Sequence, residues 1–405
     1  MSGGKAAIVH VAPTPFFADR GCHIRIRNEI EALRHSQRRV ILCTYHHGRD
    51  MEGLDIRRIW PVPGYTKLDA GYSPYRFLAD ALLFILVLKT VWQERPILLH
   101  CHLHEGALIG WAVKKCLFWR RLPLIMDMQG SLSGELTAYQ SFGANSLPLR
   151  LFRNIEELIC RMPDFFLCSS RRSKDCLLED FGVPQEKVLL LEDVVPDSFF
   201  AAASACRPPE GVIPAGRRVI IYTGSLLPGK GMQQLLEAMR LLCAEHGDLF
   251  FLLAGYPAEA ARNFVAAHHL EQCCLLPGQF SYAELAGWLA LGELAVEPKE
   301  ADAGEASGKL LHYMAAGLPV ACFDTANNRH MLGSSGYFAP SGDAAGLAAA
   351  IQAALDDRDA ARRRGNEGRR AVRDRYSSAA LGRTLHQVYK NLGCAVQPSA
   401  TSNNV

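Results

Sequence analysis

Ser307, Gly308 and Lys309 stand where a loop gives way to helix formers, and such a junction can hold a phosphate with few side chains. Ser307 and Gly308 suit loop and N-cap positions. Lys309 to Ala316 carries helix formers, Gly317 ends the run and Pro319 opens an apolar strand. At the helix start the free backbone N–H groups and the positive end of the dipole point at Gly308, so a diphosphate there needs little further charge. The same loop, helix and strand also closes many parallel sheets that bind nothing, and the pattern alone leaves both readings open.

A second concentration of chemistry lies at His100, His102, His104 and Glu105. Residues two apart on a strand share a face, so the histidines have a metal-like spacing, but we reject the metal reading. Glu105 also has a simpler use, complementing the dipole at a helix start. A third group, Trp111 to Arg121, mixes four cations with two tryptophans, a leucine and a phenylalanine. That composition suits a peripheral membrane contact, with cations at anionic headgroups and aromatic rings in the interface, and equally a packed helix with its cations in water.

Positioning such groups requires a scaffold, and the chain has the length for two. At 405 residues it exceeds one hydrophobic core, and two domains are expected. Aliphatic runs recur between helical stretches: at Ala6, Arg39, Ile97, Pro123, Asp164 and Lys187, then again at Arg217, Asp248, Cys273, Glu293 and Leu318. Their continuous rather than alternating polarity predicts parallel strands covered on both faces, and hence two doubly wound α/β sheets. We expect a first domain over 1–200, a linker over 201–216 rich in small residues and prolines, a second domain over 217–378, a helix over 379–396 packing back on the first domain, and a disordered tail over 397–405.

With 44 basic and 41 acidic residues the net charge is +3, which excludes the global basic field of a nucleic-acid binder. Thirteen cysteines without a C-x-x-C pair argue against a disulfide framework or structural zinc and suggest reduced thiols and a cytosolic setting. The N-terminus lacks a charged region followed by a long apolar run, so no signal peptide is expected. Phe77 to Val87 is strongly apolar but shorter than the ~20 residues that span a bilayer, and a buried helix is expected there.

The second half resembles the retaining glycosyltransferases of family 4, which have the GT-B fold of two Rossmann-like domains facing a cleft. The resemblance rests on YTGSLLPGKG at Tyr222, LLAGY at Leu252, PGQFSYAELAGWLALGELAVEP at Pro277, KLLHYMAAGLPV at Lys309 and GYFAPSGDAAGLAAAI at Gly336. Looser matches in the first half are DRGCHIRI at Asp19, LLHCHLHEGALIG at Leu98 and DMQGSL at Asp127.

The resemblance implies a nucleotide-sugar donor as substrate, a glycan or glycolipid acceptor, no cofactor and no metal requirement. It places Lys230 at the donor diphosphate, where its ammonium would neutralise the leaving group. Gly21, Gly224, Ser225, Gly278, Gln279, Phe280, Ser307, Gly308, Lys309, Leu310 and His312 complete the implied donor site. The family often has arginine at the position of Ser225. Its paired glutamates correspond here to Gly304, with Glu305 adjacent, and to His312. Glu305 is therefore the candidate to meet the donor sugar, and His312 to hydrogen-bond the ribose. His23 or Arg25 could reach the cleft, and Gln129 could bind a sugar hydroxyl but cannot act as a general base. A nucleotide-sugar epimerase of the same fold and a donor-binding partner subunit without turnover are the competing readings, the latter because of Ser225, Gly304 and His312.

Overall fold

The computed structural model describes residues 7–35, 38–68, 73–132, 146–205, 211–300 and 308–393. The chain divides into two compact units, one formed by Met1–Glu192 with Ser378–Val405 and the other by Asp193–Ser377.

The first unit runs β1 (Ala7–Ala12), α1 (Gly21–His35), β2 (Arg39–Thr44), β3 (Asp55–Arg58), α2 (Tyr75–Glu94), β4 (Leu98–His102), α3 (Leu103–Cys116), β5 (Leu124–Met128), α4 (Leu147–Ile159), β6 (Phe165–Cys168), α5 (Arg171–Asp175) and β7 (Val188–Leu190), and it gains a C-terminal helix, Ser378–Asn391. Its parallel sheet has the order β3-β2-β1-β4-β5-β6-β7. One face packs Val9, Val11, Cys43, Leu99 and Leu124 under α2 and α3. The alternate residues of the same strands, His10, His100, His102 and Asp127, lie buried on the other face, since side chains along a strand point to opposite faces in turn. There α1 packs beside the C-terminal helix.

The second unit runs α6 (Asp197–Ala205), β8 (Arg218–Thr223), α7 (Met232–Glu245), β9 (Leu249–Ala254), α8 (Glu259–Ala267), β10 (Cys274–Leu275), α9 (Leu285–Leu289), β11 (Leu294–Glu297), α10 (Gly308–Ala316), β12 (Val320–Phe323), α11 (Ala326–Leu332), β13 (Gly336–Ala339), α12 (Ala344–Asp356) and α13 (Arg358–Arg375). The parallel sheet order is β10-β9-β8-β11-β12-β13. Both faces are apolar. Ile220 and Tyr222 enter one core with Phe251 and Val296, while Val219 and Ile221 enter the other with Leu310, Leu311 and Met314. Each fully buried aliphatic side chain of this kind contributes roughly 1.5–3 kcal/mol against chain entropy. In both sheets the strand order reverses beside the first strand, between β1 and β4 and between β8 and β11, where an open parallel sheet offers a crevice at its carboxyl edge.

Three expectations need correction. The unit boundary falls at Glu192–Asp193 rather than near 200, and the helix Asp197–Ala205, which runs into the start of the expected linker, belongs to the second unit. The apolar window at Phe77 lies in α2 but is only half buried: Ala79, Leu83, Val87 and Val91 face the core, whereas Phe77, Leu78 and Ile85 are exposed. Two edge strands, β3 and β13, were not among the predicted runs. The expected tail falls outside the described residues.

Candidate functional site

At the carboxyl ends of β8 and β11 the second unit brings a buried acid and a lysine together. Glu297, the last residue of β11, is fully buried, and its carboxylate lies 3.3 Å from the Lys309 ammonium at the start of α10. Lys309 also donates to the Tyr222 hydroxyl at 3.1 Å and sits 4.3 Å from the centre of that ring. Tyr222 in turn donates to the Ser225 carbonyl at 2.7 Å, so one chain of contacts links the β11 carboxylate to the loop after β8. Beside it the Tyr313 hydroxyl accepts from the Thr223 N–H at 2.8 Å. Desolvation is the main reason both phenols are held above the usual tyrosine range. They remain neutral hydrogen-bonding groups.

The loop after β8 is fixed by close backbone approaches. A side chain at Gly255 would begin 1.7 Å from the Gly224 carbonyl oxygen, and one at Gly231, where φ is +74°, would begin 1.6 Å from the Pro298 oxygen. Only glycine fits either position. Lys230 ends a short 3-10 turn, Pro228–Lys230, in this loop, with its side chain half-buried. Gly224 is exposed and Ser225 half-buried.

At the start of α10, Gly308 is half-buried, and a side chain there would begin 3.3 Å from the Asp193 carboxylate. Leu310 buries its side chain in the core, leaving only its backbone N–H for a ligand. His312 departs from the expected role. Its Nδ1–H donates to the Gly308 carbonyl at 2.7 Å, so Nε2 accepts from the Tyr282 hydroxyl at 2.8 Å, and the ring packs edge-on against Phe199. Both nitrogens are satisfied inside the fold, and burial pulls the ring down to a pKa of about 4. The histidine shapes the helix start instead of offering itself to a ribose. Gly278 has a positive φ of +84° in the loop after β10, Gln279 is exposed, and Phe280 packs against Trp288 with ring centroids 5.9 Å apart. Ser307, Gly304 and Glu305 lie outside the described residues.

In the first unit Gly21 is the exposed first residue of α1, and a methyl group added there would meet nothing within 4 Å. His23 and Arg25 are buried. His23 accepts from the Ala18 N–H through Nδ1 and donates to Thr14 through Nε2. Arg25 holds Asp127 through two nitrogens, at 2.7 and 3.0 Å, and donates to the Leu191 carbonyl at 2.8 Å. The same carboxylate accepts from His102 Nδ1 at 2.9 Å and from the Gln129 amide at 2.7 Å. His102 Nε2 then accepts from His10 Nδ1 at 2.9 Å. Desolvation opposes the charge on Asp127, but Arg25 and His102 outweigh it and hold the carboxyl well below its usual range. Burial and the neighbouring histidines keep His10 neutral, and His100 likewise, facing Glu29 at 3.3 Å and the Tyr389 hydroxyl at 2.8 Å.

This cluster brings ligand-type atoms together in two sets, His10 with Glu29 and His100, and Glu29 with His102 and Asp127, with the atoms of each set within 4.8 Å of one another. Arg25 lies between the two carboxylates, pairing with Glu29 at 3.2 Å as well as with Asp127, and so already supplies a cation where an ion would sit. His104 turns instead toward Glu156 at 3.3 Å, and Glu105 pairs with Arg76 at 2.7 Å. Sequence reasoning missed Glu297, Tyr222 and Tyr313. A lone acid closing the apolar run ELAVE was the signal for the first.

The geometry agrees with what the chain is similar to. Residues 20–192 match the family described as glycosyl transferase 4-like domain, and residues 217–357 match glycosyl transferases group 1. The chain carries two glycosyl transferase domains and is a glycosyltransferase. An alpha-D-kanosaminyltransferase of Streptomyces kanamyceticus is 25% identical over 55% of this glycosyltransferase, which spans 59% of that enzyme's length. A sucrose-phosphate synthase from Thermosynechococcus elongatus superposes with a TM-score of 0.79 at 18% identity, over 97% of this chain and 100% of its own. The Anabaena protein HepE, solved with UDP, gives 0.73 at 15% identity over 96% and 100%. The glycosyltransferase thus has the GT-B fold of two Rossmann-like domains.

Proposed function

We propose that this glycosyltransferase moves a sugar from a nucleoside diphosphate donor to a hydroxyl of a glycan or lipid-linked acceptor, with retention of configuration. The observation that carries this reading is the juxtaposition of the α10 start with Lys309, Glu297 and the Lys230 loop at the strand-order reversal of the second sheet. Diphosphate binds the first-turn N–H groups of α10. Lys309 then exchanges its contact with Glu297 for a phosphate oxygen, and Lys230 takes a second one. The bond from the anomeric carbon to the phosphate oxygen breaks as the acceptor oxygen bonds to that carbon, and the acceptor proton passes to the departing phosphate. These two lysines and the helix start supply the charge that a metal ion would otherwise provide, so chelators leave turnover unchanged. Glu305 remains our candidate for the donor sugar. Gln129 is our candidate for a sugar hydroxyl, with its amide held by Asp127.

The UDP carried by the Anabaena protein makes uridine diphosphate sugars the first donors to test. The eleven cysteines among the described residues are all free thiols, which supports a cytoplasmic setting. In a thermal-shift screen of uridine, guanosine and adenosine diphosphate sugars, one base raises the melting temperature, because a ligand of the native state stabilises it. Replacing Lys230 with alanine lowers turnover by about 100-fold, the typical loss of one electrostatic partner of a developing negative charge, with the melting temperature unmoved. Release of nucleoside diphosphate without a glycosylated acceptor would favour epimerase-type chemistry or hydrolysis. Donor binding without turnover on a broad acceptor panel would favour the partner-subunit reading.

A further inference from the structure

Large apolar side chains are unevenly distributed over the surface. Of the fifteen exposed ones among the described residues, only Tyr256 lies in the second unit. In the first unit they concentrate on one helical layer, in which α3 packs against both α2 and α4. On α2 the exposed residues Leu78, Ile85 and Trp92 recur every seven positions, opposite the buried stripe of Ala79, Leu83, Val87 and Val91. On α4 Leu147, Leu151, Ile155 and Leu158 share one face, and Leu151 and Leu158 are each more than half exposed. The turn after α3 adds Phe118 and Trp119, at 71% and 56% exposure. An apolar expanse of this kind on a folded surface needs an occupant.

The charges around it indicate which. The acids of the layer that could repel an anion are already engaged: Asp80 by the Tyr45 hydroxyl, Glu94 by Arg39 and Arg57, Glu105 by Arg76, Glu157 by Arg161 and Asp164 by Lys114. The exposed Lys89, Arg95, Lys115, Arg121 and Arg150 are in none of the ion pairs found among the described residues. Lys115 stands over the Trp111 ring at 5.5 Å. Arg120 stands over Trp92 at 5.3 Å and donates to the Val91 carbonyl, tying the aromatic turn to the end of α2. No helix among the described residues is long and apolar enough to cross a membrane. We infer that the outer face of α2, the Phe118–Trp119 turn and α4 lies on an anionic lipid bilayer, with aromatic and aliphatic side chains in the interface and the five cations at headgroups.

The surface is broader than Trp111 to Arg121 and differently placed: Trp111 is half-buried, Lys114 is spent on Asp164, and the apolar contribution comes chiefly from α2 and α4. It deepens the proposed function, on which it rests, by selecting a lipid-linked acceptor over a free glycan.

The experiment is co-sedimentation of the full chain with vesicles of phosphatidylcholine alone or with phosphatidylglycerol, beside a donor thermal shift on the same preparation without lipid. Binding is expected on the anionic vesicles only, and it weakens at high salt. Replacing Lys115 and Arg121 together with glutamate weakens it by more than about tenfold, at roughly 1 kcal/mol for each basic residue near the surface. Replacing Trp92, Trp119 and Leu151 with serine, all exposed and outside the core, abolishes it with an unchanged melting temperature. Absence of binding to anionic vesicles overturns the inference. So does a dimer in sedimentation velocity that the serine variant dissolves, since a second copy would then be the occupant. A donor shift without vesicle binding defeats this inference alone, and vesicle binding without a donor shift defeats the donor reading alone.

Discussion

The two sheets share one strand order and differ in what they enclose. At its reversal point the first sheet seals a polar cluster inside, with Arg25, Asp127, His102 and His10 joined in one chain of hydrogen bonds at no more than 4% exposure and only His10 Nε2 of these four left without a partner. The second keeps its interior apolar and brings its charge to the edge, where Lys309 is 19% exposed against a fully buried Glu297. Topology therefore fixes where chemistry can be placed but not whether the groups face inward or outward. A sealed cluster has its partners already and specifies the fold, whereas a cation at the rim can change partner when a ligand arrives.

The largest effect expected from this contrast is on stability. Replacing Asp127 with alanine leaves Arg25 paired with Glu29 alone, takes the acceptor from His102 Nδ1 and the Gln129 amide, and costs about 3–5 kcal/mol, as for other buried pairs that lose one partner. Glu297 to alanine costs less, because the Lys309 ammonium can turn to water. Urea unfolding of both variants checks this, and equal losses would remove the distinction between a sealed and an open site.

A smaller effect follows from acid. His10, His100 and His312 are held neutral by burial, so their folded pKa values lie below the unfolded value of about 6.5. Below that pH the unfolded chain takes up protons that the fold refuses, and stability falls until the folded pKa is reached. For His312, with its folded value about 4, the loss between pH 7 and pH 5 is about 2 kcal/mol. Glutamine at position 312 keeps a hydrogen-bonding side chain without the titration, and the acid slope of unfolding should flatten by that amount.

The smallest effect is the sharpest discriminator at Gly21. Its surroundings are open, so alanine there changes stability by less than about 0.5 kcal/mol. If the glycine is needed for close approach of a ligand, donor affinity falls nonetheless, and isothermal titration with the donor found in the thermal screen decides it.

Much of this architecture was legible in the residues. Runs such as RVIIYT and LFFLLA mark strands buried on both faces, and eleven of the thirteen strands follow from them. The two that did not lie at sheet edges: DIRR of β3 is mostly charged, and GYFA of β13 has a glycine and no β-branched or leucine residue. The helix start at Gly308 and the loop of Lys230 were readable from glycine and lysine placement. What was not readable were pairings across distance. Nothing in the spacing reveals that Lys309 meets Glu297 and Tyr222, or that His312 spends both nitrogens on Gly308 and Tyr282, because those partners come from separate strands and loops. Arg25 shows the same limit. The sequence offered it a reach toward the cleft, and only the arrival of β5 beneath α1 gives it Asp127.

The placement of the C-terminal helix has a consequence for biosynthesis. The Tyr389 hydroxyl bonds His100, and α1 packs beside this helix, so the polar face of the first sheet is closed by residues synthesised after the whole second unit. A ribosome making this chain releases the second unit ready to fold while the earlier one still has its histidine face open to water. A nascent chain stopped near residue 377 would thus carry a second unit with all of its own residues and a first unit that lacks its closing helix.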